Sequence, residues 1–202
     1  MQQEGLLIVI SAPSGAGKTT LCNGLVNRFP GLKESISYTT RKPRAGERDG
    51  VDYHFVSVER FRQMIADDGF VEWAEVHGNL YGTALATVER ACRDGIDLLL
   101  DIDCQGARSL KDHGVPGLFI FVMPPSMAEL RRRLEARSSD AAEVIERRLV
   151  RAVEEMREAH WYDYIIVNDR LEDARQALES IVVAARQATG RMWPQMSKMF
   201  DL

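Results

Sequence analysis

Residues 6–21, LLIVISAPSGAGKTTL, constrain this chain more than any other stretch. An apolar run leads into a loop of small residues, then a lysine, two threonines and the start of a helical pattern. Small residues let consecutive backbone N–H groups turn inward on a phosphate, a lysine meets the outer phosphates, and a hydroxyl reaches the metal ion that accompanies them. Gly15, Gly17, Lys18 and Thr19 supply these parts, and the following helix adds its positive N-terminal end. The strict pattern opens with glycine, where this chain has Ala12; the strand before and the helix after provide the expected context.

The rest of the pattern extends that one strand and helix into a fold. Short apolar runs at 6–11, 96–102, 118–123 and 164–167 read as buried parallel strands. Helical patterns separate them. Residues 18–29 carry Leu21, Leu25 and Phe29 on one face and stop at Pro-Gly, and 84–93 stop at Asp-Gly. Ser126 and Glu129 form a capping box, and Asp140 with Glu143 offers a similar start to a second arginine-rich helix. Residues 171–188 close the series, with Gly190 just beyond. Such alternation implies an α/β fold with a doubly wound parallel sheet, whose ligands bind beyond the carboxyl ends of the strands. Between about residues 35 and 87 the chain turns polar and turn-rich, with short β-like pieces and one helix over 58–68, which reads as an inserted lobe.

A length of 202 residues suits one domain with such insertions, and 45% apolar with 28% charged residues is ordinary for a soluble globular chain. The net charge of −4 argues against a general nucleic-acid or anionic-membrane binder, so an anionic ligand must meet a local basic cluster. No signal peptide or membrane span is readable, and the expectation is a cytoplasmic protein that binds neither nucleic acid nor membrane, as a monomer or a homo-oligomer. Cys22, Cys92 and Cys104 have no metal or disulfide spacing and read as reduced structural thiols.

A second feature supports nucleotide chemistry. LLLDID places Asp101 and Asp103 at the end of a buried strand, on one face by the period of two. Two carboxylates there are unfavourable unless cations meet them or they cap a helix. Asp101 is placed to join the shell of a magnesium ion, directly or through water, with Thr19; Asp103 lies nearer the inserted lobe.

SAPSGAGKTT, SISYTTRKPRAGE, GVDYHF, FVEWAEVHGNLYGT, LLLDIDCQGA and YIIVND resemble, in order and over most of residues 6–169, the successive signatures of guanylate kinases. The resemblance implies one domain over 1–202. Its core would be 1–34, 88–125 and 160–202, its GMP-binding lobe 35–87 and its lid 126–159. It implies phosphoryl transfer from ATP to GMP, and also to dGMP, with Mg2+. ATP would lie on Ala12, Pro13, Ser14, Gly15, Ala16, Gly17, Lys18, Thr19 and Thr20, with Asn168 a candidate contact to adenine. Arg41, Arg44, Tyr53 and Tyr81 would hold the GMP phosphate, while Lys42 and Arg48 add to the field. Glu72, with the hydroxyls of Ser37 and Thr83, matches the family's readers of the guanine base, and Asp103 joins the GMP set. Glu75 and His77 are left as structural or solvent-facing.

Within the lid, Met127, Leu130 and Leu134 form an apolar face, leaving Arg133 and Arg137 to project elsewhere. Arg137 and Arg148 match the family's lid arginines, so Lys18, Arg41, Arg137 and Arg148 are the catalytic candidates. Ser138 stands where a glycine usually follows the arginine, and Arg170 where a second aspartate is common. The alternatives are a kinase for another nucleoside monophosphate and a non-catalytic protein-binding domain of the same fold. A guanine-nucleotide switch would need an Asn-Lys-x-Asp base-reading motif, which the sequence lacks.

Overall fold

The computed structural model describes residues 4–76, 78–137 and 141–202, the side chain of Arg137 excepted. Along the chain run β1 (Leu7–Ser11), α1 (Lys18–Arg28), β2 (Leu32–Glu34), β3 (Tyr38–Thr39), β4 (His54–Phe55), α2 (Val58–Ala66), β5 (Phe70–Val76) and β6 (Asn79–Ala84). There follow α3 (Leu85–Arg93), β7 (Asp97–Asp101), α4 (Cys104–Asp112), β8 (Leu118–Met123), α5 (Met127–Arg137), α6 (Ala142–Arg157), β9 (Tyr164–Val167), α7 (Leu171–Arg186) and α8 (Thr189–Met199).

Five strands form one parallel sheet in the order β2-β7-β1-β8-β9. Successive residues of β1 face opposite sides of it. Ile8 and Ile10 pack with Leu21 and Leu25 of α1 and Leu178 and Val182 of α7. Leu7 and Val9 pack with Val88 of α3 and with Ala107 and Leu110 of α4. Apolar cover on both faces is what a parallel sheet requires, and it accounts for the continuous apolar runs of β1, β7 and β8. Strand β1 lies between β7 and β8, which lead away in opposite directions across the sheet. Its carboxyl end is therefore the switch point where a ligand crevice opens.

The expectation of a buried strand at 164–167 is corrected. Only Ile166 of β9 is buried, while Tyr164, Ile165 and Val167 are exposed, because β9 is the last strand of the sheet and has a neighbour on one side only. Gly190 does not close the last helix: α7 ends at Arg186 and Gly190 lies in the first turn of α8.

The polar segment after β2 builds a separate four-stranded sheet, β4-β3-β6-β5, with α2 beside it. Phe61 of α2 is fully buried and stacks on Phe70 of β5 at 4.4 Å between ring centroids, which fixes the helix against this sheet. Helices α5 and α6 share their own apolar cluster of Leu130, Leu134, Ile145, Leu149 and Ala152. The Glu129 N–H donates to Ser126 Oγ at 3.1 Å, so the expected cap opens α5. Helix α6 starts at Ala142 without a side-chain cap, and Asp140 lies outside the described residues. All three cysteines are unpaired thiols. No described helix is long and apolar enough to cross a membrane.

Candidate active site

The loop between β1 and α1 turns through two left-handed glycines, Gly15 at φ 92° and Gly17 at φ 93°, conformations that favour glycine. Gly17 is also the N-cap of α1, so the helix begins at Lys18 with its amino end toward the crevice. Behind the loop stands Asn168, just after β9. Its Nδ2 donates to the Ala16 carbonyl at 2.7 Å, and its own carbonyl accepts from Arg133 Nη2 at 3.0 Å. A Cβ on Gly17 would meet Asn168 Nδ2 at 2.3 Å, so the missing side chain makes room for this prop. The side chain of Asn168 is thus engaged beneath the loop, 5% exposed.

Lys18 crosses the crevice. Its Nζ donates to the Ile102 carbonyl at 2.9 Å and pairs with Asp101 Oδ1 at 2.5 Å. Burial pushes the ammonium down, but the charge and hydrogen bond of Asp101 outweigh it and hold Lys18 above the ordinary lysine range. Asp103 caps α4 instead: its Oδ1 accepts from the Gly106 N–H and its Oδ2 from Gln105 Nε2, both at 3.0 Å.

Two cavities meet at this pair of residues. The larger, about 590 Å³, is lined by Ala12, Pro13, Ser14, Gly15, Gly17, Lys18 and Thr19 on the loop side. Arg44, Asp103, Arg148, Arg151 and Glu155 face them. Helix α6 touches the loop, since Arg148 Nη2 donates to Ser14 Oγ at 2.7 Å. Thr20 is exposed on the first turn of α1, outside this lining. The smaller cavity, about 230 Å³, is lined by Lys18, Ser37, Tyr53, Glu72, Tyr81, Asp101 and Asp103, with Ala74, Gly82 and Ile102. Lys18 and Asp103 border both.

Strands β5 and β6 of the second sheet pair Glu72 with Thr83. The Thr83 hydroxyl donates to Glu72 Oε1 at 2.6 Å. Glu72 is 5% exposed, and burial pushes its carboxyl up to about 7; the Thr83 bond opposes this and the Asp103 charge adds to it. Arg41 lies over the Tyr53 ring at 5.3 Å from its centroid, and its fork makes two 2.9 Å bonds to Glu47. Those bonds hold Arg41 above the ordinary arginine range and Glu47 down at about 2. Glu47 Oε2 also accepts the Arg44 N–H at 2.7 Å, so one carboxylate shapes the loop that carries both arginines.

Ser37, Tyr53, Glu72, Tyr81 and Asp103, separate in sequence, are therefore brought to one cavity, with Thr83 bonded to Glu72 and Arg41 against Tyr53. Arg44 faces the larger cavity. The Arg137 side chain, Ser138 and His77 lie outside the described residues. Glu75 is exposed, and Arg170, the N-cap of α7, lies 3.6 Å from Asp173 at the surface. Glu47 was not singled out from the sequence; the one acidic residue of RKPRAGER was the available signal. Arg151 and Glu155 had none beyond helical spacing.

Fold and site together define the class: a P-loop phosphotransferase with a second, smaller cavity that shares Lys18 and Asp103 with the first. The guanylate kinase family model matches residues 4–185. A guanylate kinase of Geobacter metallireducens is 55% identical over 202 residues, covering all of both chains. One of Syntrophotalea carbinolica is 54% identical over all of this chain and 96% of its own. The crystal structure of guanylate kinase from Anaplasma phagocytophilum superposes with a TM-score of 0.77 at 32% identity, covering all of this chain and 98% of that one. The chain belongs to the guanylate kinase family, which phosphorylates GMP with ATP and generally requires a divalent metal ion.

Proposed function

We propose that the larger cavity takes the ATP phosphates, the smaller takes GMP, and Lys18 acts at their border on the phosphoryl group in flight. The observation that carries this reading is that one lysine lines both cavities. The enzyme is an ATP:GMP phosphotransferase. In this division of labour residues 35–87 are the GMP lobe, 126–159 the lid and the remainder the core. Deoxy-GMP, which presents the same base and phosphate, is the expected second acceptor.

The GMP phosphate has its second pKa at about 6, so it arrives largely as a dianion and needs no general base. The obstacle is repulsion between two polyphosphates: even one pair of unit charges at about 4 Å repels by roughly 4 kcal/mol at an effective dielectric of 20. Cations in fixed positions offset it. Arg41, with the Tyr53 and Tyr81 hydroxyls, holds the acceptor phosphate from the lobe. Lys18 meets the transferring group from the loop, and Arg44, Arg148 and the lid arginine Arg137 complete the ring of charge. Glu72 accepts the N1–H and amino hydrogens of guanine, positioned by Thr83, and Ser37 adds a hydroxyl in the same cavity.

Thr19 opens onto the larger cavity, and the Asp101 carboxylate lines the smaller one, paired with the Lys18 ammonium that borders both. Among the described residues no three His, Cys, Asp or Glu side chains gather as a metal cage. A hydroxyl and one carboxylate, both hard oxygen donors, fit Mg2+, which keeps waters and shares its shell with substrate phosphates. When bound it would draw charge from the phosphate oxygens. Asp101 would then divide its charge between the metal shell and Lys18.

Replacing Lys18 by methionine keeps the stem and removes the charge. Turnover should fall by about 10² or more, with GMP binding measured without ATP little changed. The melting temperature should also drop, because Asp101 loses its partner, so assays belong well below both transitions. Turnover near that of the unaltered enzyme would overturn the assignment.

A further inference from the structure

Gly106 sits inside the first turn of α4, a place where glycine weakens a helix relative to alanine. It has no left-handed φ to account for it, since Gly106 is absent from the positive-φ glycines. What accounts for it is a close approach. A Cβ at this position would stand 2.4 Å from Glu72 Oε2, 3.1 Å from Glu72 Cδ and 3.4 Å from Ile102 Cδ1. Glu72 cannot swing away without loss, because its other oxygen is bonded to Thr83 at 2.6 Å and the residue is buried. The backbone of the turn is held as well, by the Gly106 N–H bond to Asp103.

We propose that Gly106 is a specificity-determining position of the acceptor site: its missing side chain lets the Glu72 carboxylate lie against α4 in the orientation that accepts both donors of guanine. The proposal rests on the reading of Glu72 as the base-binding carboxylate. Any side chain at 106 forces the carboxylate to retreat by about 1 Å, the gap between 2.4 Å and ordinary contact at 3.4 Å. Hydrogen bonds weaken steeply over such a displacement. The penalty falls on guanine recognition, since alanine favours the helix itself. Gly106 is thus a positioning residue acting through Glu72.

Steady-state kinetics on Gly106→Ala, Glu72→Asp, the double variant and Glu72→Gln test this. Gly106→Ala should raise KM for GMP about tenfold or more, the effect of leaving a base donor unpaired, while KM for ATP stays within about twofold. Its preference for GMP over IMP, which lacks the amino group, should narrow. In the Glu72→Asp background the shorter side chain no longer reaches a Cβ at 106, so adding Gly106→Ala should change KM for GMP by less than about twofold. A KM for GMP in Gly106→Ala within twofold of the unaltered enzyme would overturn the proposal. So would an equal loss in both backgrounds, which would mean that Gly106 acts through the helix. An unchanged KM for GMP in Glu72→Gln would instead overturn the reading of Glu72 on which the proposal depends.

Discussion

Lys18 and Glu72 are ionisable groups withdrawn from water, and their neighbours treat them oppositely. Asp101 keeps Lys18 charged, whereas burial pushes the Glu72 carboxyl from the ordinary 4.5 up to about 7. In the folded protein without ligand, ionising Glu72 is therefore unfavourable. Its contribution to stability is present at low pH and is lost as pH rises from about 4.5 through 7. On the proposed reading of Glu72, guanine requires the ionised form, so GMP binding should strengthen as pH rises through that range and release a proton. KM for GMP should fall severalfold between about pH 6 and 8. The GMP phosphate titrates in the same direction near 6, so Glu72→Gln, which keeps the phosphate response and removes the carboxyl, is the control. A KM profile identical in both proteins would place no titration at Glu72. Residues of the phosphate loop were legible in the sequence because their chemistry requires contiguity. The Asn168 prop was not, since it joins residues 152 apart in the chain and is only visible once β9 is laid beside β8.

Strands and helices were legible where their faces are apolar and illegible where they are short or polar. Strand β8 spans the expected residues, Leu118–Met123, because it is buried on both faces. Strand β2 was missed: it has three residues, Leu32–Glu34, two of them charged and exposed. Helix α4 was missed because CQGARSLKD offers few apolar positions, and α8 because Gly190 and Pro194 read as helix breakers. After β8 the Ser126 cap predicted the start of α5 correctly, and the geometry adds the contact between Arg148 of α6 and Ser14 of the loop. Because that arginine lines the larger cavity and not the smaller, the proposed donor role predicts that Arg148→Ala lowers turnover by about tenfold or more. GMP affinity measured by titration without ATP should be unchanged. A matching loss in GMP affinity would contradict the assignment of α6 to the donor side.

Over the whole molecule the net charge is −4, yet Lys18, Arg44, Arg148 and Arg151 all face one cavity and Arg41 stands beside the next. On the proposed reading the anionic substrates would meet these local cations set in an acidic chain, as the charge balance leads one to expect. The doubly wound core supplies the crevice at the end of β1; the second sheet carries Glu72, bonded to Thr83, and Tyr81 to the smaller cavity, and the loop after β3 carries Arg41. On the proposed reading, ligand recognition is divided between two bodies of different construction: the core reads phosphate, which any nucleotide offers, and the lobe reads the base. The central claim follows that selectivity among acceptors resides in the lobe and its buried carboxylate. Turnover with ATP and a divalent metal, measured for GMP, AMP, CMP and UMP in turn, tests it most directly. The predicted result is kcat/KM for GMP at least about 10² above the other three, because they leave Glu72 without its pair of donors; comparable values for GMP and any one of them would contradict it.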